Sequence, residues 1–182
     1  MHGAPALSKG PGAACGVKVE IVARDAQGNI TGRYENAHDL ATLQMAQLVQ
    51  NNILATAEAV TDTGNASRSL SANSATSVPR IVAGIGATAA AYNDYALQTP
   101  TAGTSGYVAA TINAASGSGT SCSFTVTGTI TNTSGSSVSY GEVGITIVCA
   151  TYTFLLCHDV FSALPVSNNG TLAVTYTLTY SA

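Results

Sequence analysis

"GTLAVTYTLTYSA" (Gly170–Ala182) alternates without a break. Leu172, Val174, Tyr176, Leu178 and Tyr180 are apolar, and the residues between them are Thr or Ala. A period of two marks a strand with one face turned to a core. Neither face carries a charge, and an uncharged strand left at a sheet edge invites pairing with another chain. The stretch is therefore expected between two neighbouring strands, with Leu172, Val174, Tyr176 and Leu178 in the core.

The residues upstream read the same way. "RIVAGIGAT" (80–88), "YVAATIN" (107–113), "SCSFTVTGTITN" (121–132), "VSYGEVGITIVC" (138–149) and "TYTFLLCHDVF" (151–161) are each expected as strands. In the third of these, Phe124, Val126 and Ile130 alternate with Thr125, Thr127, Thr129 and Thr131. "NTSGSS" (132–137) is a turn and "AAAYNDYALQTPTAGTSG" (89–106) a loop. Near the start, "GVKVEIVARD" puts Val17, Val19, Ile21 and Ala23 on one face, "DAQGN" turns the chain, and "ITGRYEN" returns as a hairpin partner. Short strands at this spacing, rich in Thr, Val and Tyr, predict a mainly β protein, a jelly-roll-like antiparallel β-sandwich. One helix is expected near 39–56, where Leu40, Leu43, Met45, Leu48, Val49 and Ile53 make an apolar stripe behind the capping residue Asp39. The Ser-, Asn- and Gly-rich run 61–77 is expected as a surface loop. Residues 1–15 read as an extended arm and residues 16–182 as a single domain.

Charge narrows the function classes. Only 8% of the 182 residues are charged, and the net charge is −3, where a soluble domain usually carries about a quarter. After Arg80 there is no Lys or Arg, and the acids are Asp94, Glu142 and Asp159 alone. No basic patch is present to neutralise phosphates, so nucleic acid is not an expected partner. The apolar runs fall short of the ~20 residues that cross a bilayer, and the first residues lack the pattern of a secretion signal. No membrane partner is expected, and synthesis is expected in a cytoplasm. The surface must be solvated by hydroxyls or covered by other subunits.

No catalytic constellation stands out. Cys157, His158 and Asp159 are adjacent, but neighbours on a strand point to opposite faces, so Cys157 and His158 do not form a dyad. Cys15, Cys122, Cys149 and Cys157 include no C-x-x-C pair, and free thiols are expected. Cys149, Cys157 and His158 would meet around a metal, or Cys149 and Cys157 in a disulfide, only with a particular strand register. His2 and His38 lie far off in sequence. Neither metal nor cofactor is expected. Glu142 is the lone acid of an apolar strand, and a buried carboxylate needs a partner. Arg80 is one candidate, and a structural role is favoured over that of a catalytic acid. His158 and Asp159 are the other candidate buried polar groups. In "NDYALQTP", Tyr92, Asp94, Tyr95 and Leu97 have two compatible readings. Leu97 plugs the core and Asp94 caps a turn, or the loop is a contact surface, where Tyr is favoured.

Three segments, taken in order, resemble a set found in tailed-bacteriophage virion proteins. They are "VAGIGATAAAYNDYALQTP" (82–100), "NTSGSSVSYGEVGITI" (132–147) and "LLCHDVFSALPVSNNGTLAVTYTLTY" (155–180). The resemblance covers about Pro79 to Tyr180. Cys157-His158 stands where that family often shows Ala-Arg before the Asp, so His158 or a distant Arg would have to meet the strand carboxylate here. The resemblance implies a non-enzymatic virion component, a capsid decoration or cement protein. Its partners would be copies of itself and other virion proteins such as the major capsid protein. The alternative is a tail or tail-fibre component that binds a receptor or glycan.

Overall fold

The computed structural model describes residues 14–36, 40–43, 45–48, 58–70, 79–149 and 151–181. Among them thirteen strands follow one another: β1 (Ala14–Arg24), β2 (Ile30–Asn36), β3 (Leu40–Ala41), β4 (Glu58–Thr61), β5 (Ser67–Leu70), β6 (Arg80–Gly84), β7 (Tyr107–Ala109), β8 (Thr111–Ile112), β9 (Ser116–Ser118), β10 (Ser121–Thr131), β11 (Val138–Cys149), β12 (Tyr152–Val166) and β13 (Thr171–Ser181). The protein is mainly β, and its strands pair antiparallel.

One sheet runs β2-β1-β13-β10-β8, with β9 also on β10; the other runs β3-β12-β11-β6-β7. The last strand thus takes the interior position its neutrality demands, with β1 on one side and β10 on the other. Leu172 lies across from Ala23 and Ile130, and Tyr176 across from Val19 and Val126. The inner faces of both sheets share one core. Val19, Ile21, Ile130, Leu172, Val174 and Tyr176 come from the first sheet, and Ile81, Val143, Ile145, Cys157 and Phe161 from the second. Two features close the sides of this sandwich. On one, the chain passes from β7 through buried Ala110 to β8, changing sheets. On the other, β2 approaches β12, and the Tyr34 and Phe161 rings stand 5.2 Å apart. The order does not establish the jelly-roll connectivity expected from strand spacing, because β1–β2 and β11–β12 are hairpins within a sheet.

The five-stranded sheet is covered on its outer face as well. The segment between β6 and β7 lies over it, bonded to Glu142 and His158, while Leu48, Val60, Leu70, Cys149 and Phe154 form a second apolar cluster at the far end of β11 and β12. Residues 140–146 of β11 are accordingly all buried, which explains why "YGEVGIT" alternates so weakly.

Three boundaries upstream of β6 differ from the sequence reading. Part of the expected 61–77 loop is a hairpin, β4–β5. Asp62 organises its turn by accepting the Gly64 and Ala66 N–H groups and the Arg68 Nε–H, so side-chain turn chemistry lies behind the polar composition. Residues 71–78 lie outside the described residues. Strand β1 reaches into the expected arm 1–15, since Ala14 and Cys15 already pair with Ser181 and Tyr180; residues 1–13 lie outside the description. Within the expected helix 39–56, Leu40–Ala41 instead form strand β3, which pairs with β12, and residues 43 and 45–48 are helical; positions 39, 44 and 49–56 are not described.

Candidate functional site

The polar residues of the sandwich's second half converge on the outer face of the five-stranded sheet. Glu142 on β11 and His158 on β12 are both buried. β11 and β12 are neighbours, and the register sets His158 across from Gly144. Glu142 is therefore diagonal to His158, on the same face, and His158 Nε2 lies 3.0 Å from Glu142 Oε2. The other ring nitrogen, Nδ1, lies 2.7 Å from Asp94 Oδ2 in the covering loop. An ionised carboxylate only accepts, so both ring nitrogens donate and the imidazole is the charged form, held between two anions.

The loop is also bonded to Glu142 through its backbone. The N–H groups of Gly86 (3.0 Å) and Thr99 (2.7 Å) donate to Oε1, and that of Gln98 (2.9 Å) to Oε2. Burial alone would push the Glu142 carboxyl up, but these four donors outweigh it and hold the group below its ordinary range. Burial alone would likewise depress His158, and its hydrogen bonds to Glu142 and Asp94 raise it instead.

Glycines make this approach possible. A Cβ on Gly86 would stand 2.6 Å from Glu142 Oε1, and one on Gly84 would collide with Oε1 and with the Thr99 carbonyl oxygen. Both contacts involve a carboxylate that is itself pinned. Gly86→Ala is expected to destabilise the fold by about 1–3 kcal/mol, as overpacked sites do. Gly16→Ala, whose Cβ meets nothing within 4 Å, should stay within about 0.5 kcal/mol. Urea titration of the pair measures the difference, and equal midpoints would refute the crowding argument.

The remaining candidates fall as follows. Arg80 is not the partner of Glu142, contrary to the sequence reading. It sits opposite Thr146, four residues along β11 from Glu142, with its guanidinium 5.0 Å from the Tyr107 ring centre. Asp159 is buried on the inner face, where Asn36 Nδ2 donates to its Oδ1 at 3.4 Å. Leu97 is buried, and Asp94 Oδ2 accepts the Ala91 N–H as well as the His158 proton. Tyr92 is 65% exposed, and Tyr95 is half-buried. Cys157 points into the main core, whereas Cys149 belongs to the second cluster. The register pairs them with Ile145 and Tyr152 respectively, not with each other. Among the described residues no group of His, Cys, Asp and Glu is placed to hold a metal ion. Asp94 is the member of the cluster that the sequence did not connect to His158. Its only signal was an acid in a loop of a chain nearly without charge.

Chemically the cluster fastens a loop to a sheet. The His158 and Glu142 side chains are 0% exposed and that of Asp94 25%, and each donor is matched by an acceptor within the cluster. A pH dependence follows. Glu142, lowered on folding, contributes stability above its ordinary value of 4.5 that is lost as pH falls through the folded value. His158, raised on folding, contributes stability below 6.5 that is lost as pH rises through its folded value. Both contributions are complete between 4.5 and 6.5, so the melting temperature should peak there and fall on either side. Scanning calorimetry across pH checks this; a curve still rising above 6.5 would contradict it.

Comparison with known proteins finds no match: no family model, no curated protein and no solved structure corresponds to this chain.

Proposed function

We propose that this chain is a non-enzymatic structural component of a phage virion, a capsid decoration protein that stabilises the particle through subunit–subunit contacts. One observation carries the reading. Asp94, Glu142, His158 and Asp159 are the only acidic or basic side chains after Arg80, and Glu142, His158 and Asp159 are buried while Asp94 is three-quarters covered. The surface contributed by residues 81–181 is thus nearly free of charge. It carries hydroxyls together with Ile85, Tyr92, Tyr107 and Ile112, each between 44 and 65% exposed. A freely diffusing domain usually keeps charge on its surface for solubility. Protein interfaces are depleted of charge at their centres and enriched in Tyr. The ordered resemblance of three segments to virion proteins supports the same reading.

Exposed Tyr92 on a loop also suits a sugar-binding tail-fibre component, since an aromatic ring offers an apolar face to a pyranose. Two measurements separate the readings. The decoration reading expects the chain in gradient-purified particles at a fixed ratio to the major capsid protein, and particles lacking it to open at lower temperature. It fails if purified particles do not contain the chain. A specific hit on a glycan array, without capsid association, would establish the second reading in its place.

A further inference from the structure

We propose that Asp94, His158 and Glu142 form a charge-operated latch, in which loss of the His158 proton releases the Asp94 limb and the backbone around Tyr92 while the Glu142 limb stays closed. The asymmetry lies in the two carboxylates. Glu142 is fully buried, and three backbone N–H groups hold it whatever His158 does. Asp94 is a quarter exposed, and among the described residues it accepts, besides His158, only the local Ala91 N–H. A neutral imidazole keeps one N–H. Retained on Nε2, it satisfies the carboxylate that water cannot reach. Nδ1 then presents a lone pair to Asp94 Oδ2 across 2.7 Å, a contact between two acceptors. Asp94 can relieve it by turning to solvent, and desolvation bars Glu142 from the same escape.

Little else restrains that limb. Tyr92 buries only a third of its surface. The limb's backbone is held by the Asp94 N–H on the Ala91 carbonyl (3.0 Å) and by the Leu43 N–H on the Tyr92 carbonyl (2.7 Å). The second bond couples the limb to the segment after β3. Around the imidazole, β11 supplies Glu142 and the loop Asp94. On its own strand, Asp159 faces the opposite side of the sheet, and the β3 backbone beside it brings no charged group among the described residues. The latch belongs to the isolated chain and does not depend on what that chain packs against.

Hydrogen exchange on the intact chain from about pH 5 to about pH 9, corrected for intrinsic rates, tests it, with the His158 titration followed by NMR in the same samples. As His158 loses its proton, protection at Leu43, Ala91 and Asp94 should fall by roughly tenfold or more, while Gly86, Gln98 and Thr99 keep theirs. His158→Gln, which cannot carry the charge, should abolish that pH dependence. Asp94→Asn should move the His158 titration to lower pH by removing one anion from the imidazolium and, because its amide can donate to a neutral Nδ1, should blunt the release; it serves if the first variant does not fold. Loss of protection at all six amides together, or none while His158 titrates, overturns the latch.

Discussion

Glu142→Ala should destabilise the protein by about 3–5 kcal/mol, the range found when one member of a buried ion pair is removed. The carboxylate is fully buried and takes four hydrogen bonds, from Gly86, Gln98, Thr99 and His158. Truncation leaves the His158 charge with Asp94 alone and strands three backbone donors beneath the loop, each an unsatisfied group costing about 1–3 kcal/mol. These penalties overlap, because the loop can lift away and let water in. For a domain of this size the loss corresponds to a drop of roughly 6–20 °C in melting temperature. Glu142→Gln should cost less, since its amide oxygen can still accept from Gly86 and Thr99. Urea unfolding of both variants measures this, and a loss for Glu142→Ala below about 1 kcal/mol would mean that the carboxylate is not the anchor described.

Leu172→Ala should cost about 2–5 kcal/mol, and Thr175→Ala, three residues along the same strand, no more than about 0.5 kcal/mol. Leu172 is fully buried between Ala23 and Ile130 in the central strand of the six-stranded sheet. Neighbours on both sides prevent the site from collapsing around the missing methyls. Thr175 lies on the outer face between Glu20 and Thr127 and is only half-buried. Circular-dichroism melts of the two variants read the contrast. Similar losses would mean that β13 does not present alternate faces to core and solvent.

How much of the fold was legible depended on which faces were covered. β1, β10 and β13 each bury one face, so their alternation could be read from the chain, and β11 appeared with its observed limits, Val138–Cys149. The β4–β5 hairpin was hidden because Asp62, Gly64 and Asn65 read as loop residues, while the structure uses Asp62 as the acceptor that closes a tight turn, with Asn65 in the left-handed region at φ 61°. β6 ends at Gly84 rather than running on through Ile85–Thr88, because Gly86 turns its N–H to Glu142. Glu142 and His158 were both identified as buried polar groups on β11 and β12. Arg80 was the wrong partner for Glu142: the register sets it opposite Thr146, on the same face but four residues further along β11, and register is not legible from charge.

The alternation of apolar and hydroxyl residues by itself determined that this chain forms strands and which face of its last strand is buried, since a strand's side chains alternate by local geometry. Only the tertiary structure decided that Asp94 meets His158 across 64 residues and that Glu142 lies beneath the same loop. Contacts so distant in sequence depend on sheet register and on the path of a loop, and no local pattern of residues encodes either.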